Sequence, residues 1–96
     1  MITLPARSET VMDDKFKARK VLQLQLAFAN NVKALRGRRG LTQQQLADMC
    51  CMHRVTIANI ERTRHEPLFS DACILADALG VSLSDMRQDL SQTPST

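Results

Sequence analysis

The stretch 41–62, LTQQQLADMCCMHRVTIANIER, most constrains what this chain can fold into. It holds two helical patterns separated by three or four residues, each too short to be stable in isolation. Thr42 has the chemistry of an N-cap, and the Q-x-L-A pattern carries a helix to Met49 or Cys50. Met52 or His53 then opens a second helix that runs to about Arg62. Two such helices must pack on each other and on a larger body.

The flanking segments supply that body. Residues 13–37 contain no Pro and no Gly before Gly37, and open with Asp13 and Asp14, which suit a helix N-terminus. Apolar residues at 21, 24, 28, 32 and 35 follow helical spacing, and Gly37 and Gly40 mark the stop. After the loop TRHEP, Ser70 and Asp71 open a fourth helix with Ala72, Leu75, Ala76 and Leu79 on one face and Gly80 at its end. Ser82 caps a fifth, SLSDMRQDL, with Leu83, Met86 and Leu90 turned inward. No strand pattern and no solenoid repeat is present. The expected architecture is all-α with five helices. Residues 1–12 read as a flexible N-terminal arm, 13–27 as a helical extension, 28–90 as the domain proper and 91–96 as a polar tail.

The totals exclude several functions. Three Phe and no Trp or Tyr leave little for stacking on single-stranded nucleic acid. No apolar run approaches the roughly 20 residues of a membrane span, so no membrane partner is expected. The N-terminus lacks the apolar core of a secretory signal, and three Cys, two of them adjacent, make no disulfide framework. The setting expected is cytoplasmic. Cys50 is expected in the core and Cys51 exposed in the turn, and adjacent Cys do not give the spaced pairs of a structural zinc site. No set of acids, histidines or nucleophiles forms a catalytic constellation, so neither an enzyme nor a cofactor is expected.

The net charge of +3 is unevenly spread. Residues 33–64 carry seven Lys/Arg against two acids, whereas residues 65–96 carry one Arg against five acids. The positive charge therefore gathers around the paired helices, as in a polyanion binder. On the second of them, Ile57 and Ile60 form the natural core pair at about 100° per residue. Val55, Ala58, Asn59 and Arg62 then fall on the far side, with Arg54 on the flank. A helix of this width fits the major groove of duplex DNA, where Arg forks onto guanine, Asn pairs with adenine and Val meets a thymine methyl. The first turn of the helix beginning Thr42-Gln43-Gln44 offers backbone N–H groups for a phosphate.

From about Phe28 to Met86 the chain resembles the lambda-repressor and Cro-like helix-turn-helix family, also called the XRE family. The matching stretches are 32-VKALRGRRGLTQQQLAD-48, 57-IANIER-62, Glu66-Pro67 and 76-ADALGVSLSDM-86. The resemblance implies a five-helix, lambda-repressor-like DNA-binding domain, here with an extended N-terminal helix. It implies Arg54, Val55 and Asn59 as base readers, and Thr42, Gln43, Arg62, Arg64 and His65 as phosphate contacts. It implies Arg36 and Glu61 as a structural ion pair. The chain departs from the family pattern at Cys51 and Thr63, where Gly is usual, and at His53, where a small hydroxyl usually caps. At the first two, either a non-glycine residue takes φ > 0 or the turn is reshaped.

The expected function is a sequence-specific, double-stranded DNA-binding transcriptional regulator, nucleoid-associated, that binds an inverted repeat as a homodimer. Two other readings stand beside it: the antitoxin of a toxin–antitoxin pair, with a toxin as protein partner, and a restriction–modification controller. Val21, Leu22, Leu24, Leu26 and Phe28 make the first helix more apolar than a small domain needs. A second copy of the chain, or the fourth and fifth helices folding back, would cover them.

Overall fold

The computed structural model describes residues 12–90. The proposed arm, except Met12, and the polar tail lie outside the described residues. Four α-helices occur among them: α1 (Asp14–Arg38), α2 (Gln43–Cys50), α3 (Arg54–Glu61) and α4 (Phe69–Leu79). No strand is found among these residues.

The starts of the helices follow local chemistry to different degrees. Asp13 caps α1 by accepting from Phe16 N at 2.7 Å. Thr42 and Gln45 form a reciprocal capping box on α2: Gln45 N donates to Thr42 Oγ1 at 3.0 Å, and Thr42 N donates to Gln45 Oε1 at 2.8 Å. His53 precedes α3 without a side-chain cap. The start expected for α4 at Ser70 and Asp71 is displaced, because the helix begins at Phe69 after Leu68, again uncapped. Leu68 is the last extended residue, with φ of −63° and ψ of 148°, so the helix opens directly after it.

The ends are uniform. Each helix closes with a left-handed residue, Gly40, Cys51, Thr63 or Gly80 in turn. The following residue then reaches back in a Schellman motif, as Leu41 N→Arg36 O at 3.0 Å, Met52 N→Ala47 O at 2.9 Å, Arg64 N→Asn59 O at 2.9 Å and Val81 N→Ala76 O at 3.0 Å. Cys51 and Thr63 both adopt φ of 54°, so of the two outcomes open at these turns the first holds, and two non-glycine residues carry the strain. Gly37, expected to stop α1, instead lies inside it.

The fifth helix is a correction. Only Asp85–Arg87 winds, and as a 3-10 turn. Ser82 and Asp85 do cap each other reciprocally, Asp85 N→Ser82 Oγ at 3.0 Å and Ser82 N→Asp85 Oδ2 at 3.2 Å. What pulls the segment out of helix is Asn31. Its fully buried side chain donates to Met86 O at 3.0 Å and to Gln88 O, and accepts from Leu90 N at 2.7 Å. These bonds tie the backbone of residues 86–90 to α1 beyond a single turn in place of a continued helical ladder. Met86 still enters the core, and Leu83 and Leu90 pack on it.

The core joins Phe28, Val32 and Leu35 of α1 to Leu46, Ile57, Ile60, Leu75 and Leu79. Cys50 is buried, and burial pushes its thiol pKa upward. Cys51 is exposed and Cys73 half-buried. None of the helices described is long and apolar enough to cross a membrane.

Candidate nucleic-acid interface

The α2–α3 corner presents the charged face. Arg54 is the first residue of α3 and is exposed, and Val55 beside it is 57% exposed. Asn59, one turn later, is half-buried. Ala58, expected on the same outer face, is buried instead. It lies three residues before Glu61 and so shares the flank on which Glu61 meets Arg36. The outward face is thus narrower than the helical period alone implies.

The structure brings Arg36, Gln43, Arg54 and Glu61 into one chain of contacts. Arg36 Nε donates to Glu61 Oε2 at 2.7 Å and Arg36 Nη2 to Glu61 Oε1 at 3.1 Å, a bidentate fork. Arg36 Nη1 also donates to Leu41 O at 2.8 Å, so one guanidinium ties α1, the α1–α2 loop and the end of α3. The carboxylate, held in hydrogen bonds, raises the Arg36 pKa above its ordinary value, against the effect of burial. Gln43 Nε2 donates to the same Glu61 Oε1 at 3.1 Å, and Gln43 Oε1 accepts from Arg54 Nη1 at 3.1 Å. A fixed ion pair at the centre therefore orients the exposed arginine through one glutamine.

Thr42 is exposed at the start of α2, its hydroxyl oxygen engaged in the cap. In an α-helix the first N–H groups have no carbonyl partner of their own. At α2 the box occupies that of Gln45, and those of Gln43 and Gln44 precede the ladder. Arg62 caps α3, and Arg64 and His65 follow in the loop, all three exposed. The Thr63 stop turns the chain so that Arg64 leaves the helix axis. Thr42, Arg54 and Val55 are thus exposed at the heads of α2 and α3, and Arg62, Arg64 and His65 at the end of α3 and beyond it; side chains of these types suit phosphates flanking a groove and base edges within it.

Sequence reasoning placed Gln43 at the edge but missed its role as a bridge. The available signal is positional: Gln43 and Arg54 are the first residues of two consecutive short helices. It also missed the buried Asn31, which stands inside an apolar stripe where a polar side chain needs several partners. Among the described residues no group of three or more His, Cys, Asp or Glu is placed to hold a metal ion.

A family model described as helix-turn-helix matches residues 32–86. An immunity repressor protein of Bacillus phage phi105 is 39% identical over 59 residues, covering 62% of this chain and 41% of the phage protein. Control protein C.SmaI of Serratia marcescens is 38% identical over 56 residues, covering 58% of this chain and 67% of that protein. The chain thus spans about two fifths of the phage repressor and two thirds of the control protein. The crystal structure of a hypothetical transcription factor NHTF from Neisseria superposes with a TM-score of 0.68 at 27% identity, covering 94% of this chain and 90% of that one. The segment matched by the family model contains α2, the turn, α3 and α4 whole, together with the Arg36–Glu61 pair. The chain belongs to the helix-turn-helix family.

Proposed function

We propose that the chain is a transcriptional regulator that binds double-stranded DNA sequence-specifically, with α3 in the major groove, and that it reads an inverted repeat as a homodimer. The observation that carries this reading is the exposed Arg54–Val55 pair at the head of α3, with Arg54 held by Gln43. In this reading Arg54, Val55 and Asn59 meet base edges. Thr42, Gln43, Arg62, Arg64 and His65 hold the backbone on either side, and Arg36 and Glu61 serve the scaffold. The phage repressor likeness supports the role of regulator. Site residues of two kinds give two signatures. Arg54→Ala is expected to relax base preference at one position, and Arg64→Ala to weaken all sequences alike and lower the salt slope by about one. Equal behaviour of the two variants across a panel of operators would remove the division into base readers and phosphate contacts.

A second reading, the controller of a restriction–modification pair, is supported by the likeness to a protein named a control protein. It uses the same DNA-binding face, and restriction and methylation genes beside this one would favour it.

A further inference from the structure

One ridge of α1 changes character along its length. Lys20, Leu24 and Phe28 follow one another at four-residue spacing, and the three span about 12 Å at 1.5 Å per residue. Two open cavities lie against this ridge. The first, of about 450 Å³, is mainly apolar and is lined by Leu24 and Phe28 together with Phe69, Leu83 and Met86. Its Phe69 is 76% exposed. The second, of about 260 Å³, is mainly polar and is lined by Lys20, Gln23, Leu24, Ser84, Arg87 and Gln88. Leu24 and Arg87 line both, so the two cavities adjoin. Together they fall in the size range of small-molecule sites, roughly 300–1,000 Å³.

Charge gives the pair of cavities a direction. The lining of the polar cavity holds two cations and no acid. Among the described residues, neither Lys20 nor Arg87 forms an ion pair. Asp85 and Asp89 flank Arg87 in sequence but do not line the cavity, and the Asp85 carboxylate accepts from Ser82 N at 3.2 Å. Glu66 lines the apolar cavity and not the polar one. Two like charges beside a cavity with an apolar wall draw an anion to that end. The guanidinium of Arg87, the ammonium of Lys20, the Ser84 hydroxyl and the two carboxamides supply donors for its oxygens. A bare anion would use the polar end and leave Phe28, Phe69 and Leu83 as they are. A neutral apolar molecule would leave the two cations unmatched. A molecule with an apolar tail and one anionic head uses both cavities.

We propose that these adjoining cavities form a binding site for a small amphipathic anion, an aliphatic chain of medium length that ends in a single carboxylate. The carboxylate sits between Lys20 and Arg87. The chain passes Leu24 and runs along Phe28 toward Phe69, which it covers. None of the residues lining the two cavities is among those assigned to base edges or phosphates. The site therefore goes beyond the reading as a DNA-binding regulator and stands or falls without it.

The test uses the full chain at pH 7, titrated with octanoate, with octanol and with acetate, and read by calorimetry and by amide chemical shifts. Octanoate is expected to bind saturably with a dissociation constant below about 1 mM. Its shifts are expected at residues 20–28 and 83–88 and not in α3. Octanol, which lacks the charge, and acetate, which lacks the tail, are each expected to bind at least tenfold more weakly. The double variant Lys20→Gln, Arg87→Gln is expected to weaken octanoate at least tenfold and to leave octanol unchanged. Phe69→Ser is expected to weaken octanoate and octanol alike. Arg87 and Phe69 are exposed and Lys20 half-buried, so circular dichroism is expected to be unchanged, and binding to a duplex holding a single half-site to stay within twofold. Octanol as tight as octanoate would mean a merely apolar groove, and acetate as tight as octanoate a merely cationic surface; either overturns the proposal. So would the absence of saturable octanoate binding, the result expected if a second copy of the chain fills the groove, or an affinity that the double variant does not change.

Discussion

Gln43 accepts a hydrogen bond from Arg54 Nη1 at 3.1 Å while its own amide nitrogen donates to Glu61 Oε1 at 3.1 Å. The first residue of α2 therefore couples the first residue of α3 to an ion pair formed with α1. An arginine on an exposed helix has several rotamers of similar energy, and holding one in place lowers the entropy lost on binding.

Gln43→Ala is expected to leave folding intact and to loosen discrimination at the base pair read by Arg54. Arg54→Ala removes the contact itself, at about 1–3 kcal/mol for that base pair. The alanine at 43 is expected to cost less. Competition titrations of both variants against single-base operator variants check the order.

Arg36→Met would leave the Glu61 carboxylate buried with Gln43 as its remaining side-chain partner. Removing one member of such a pair costs about 3–5 kcal/mol. The lower end is expected here, because Arg36 is partly exposed and Gln43 stays. Replacing both, Arg36→Met with Glu61→Leu, is expected to recover most of the loss, since no charge is stranded. Urea unfolding of the two single variants and the double variant measures the coupling.

Asn31→Leu removes three hydrogen bonds to the backbone of residues 86–90. A stranded buried backbone group costs about 1–3 kcal/mol, and the same range is expected for this variant because the freed segment can turn to water. Amide exchange of Leu90 is expected to accelerate far more than that of Leu75 in the core. Equal acceleration at both would mean global destabilisation and no local release.

Cys51→Gly and Thr63→Gly each place glycine where φ is 54°. A left-handed conformation costs a residue with a Cβ about 1–2 kcal/mol, partly offset by the greater freedom glycine has when unfolded. Each variant is expected to gain under about 1 kcal/mol, or a few degrees in Tm for a domain of this size. Thr63→Gly is expected to gain more, because a β-branched residue fits this region worst. Differential scanning calorimetry compares them.

The fold was legible wherever local chemistry and packing agree. Thr42, with Gln45 three residues on, announces α2, and the apolar spacing of α4 names its buried face correctly although its start does not. Legibility failed where a distant partner decides. The segment 82–90 has a capping box and helical spacing, yet Asn31, more than fifty residues earlier, takes its backbone groups. Ala58 looked outward by angle and is buried, on the flank of α3 that carries Glu61. The residues of the corner were legible one by one, but their connection through Gln43 needs both helix starts side by side in space.

In the proposed function Arg54, Val55 and Asn59 read base edges. Selection of binding sites from a random duplex library tests it most directly, carried out in parallel with wild type and Arg54→Ala. Wild type is expected to enrich an inverted repeat with half-sites about 34 Å apart, and the variant to lose preference at one position in each half. Absence of enrichment, or an identical preferred sequence from both proteins, would contradict it.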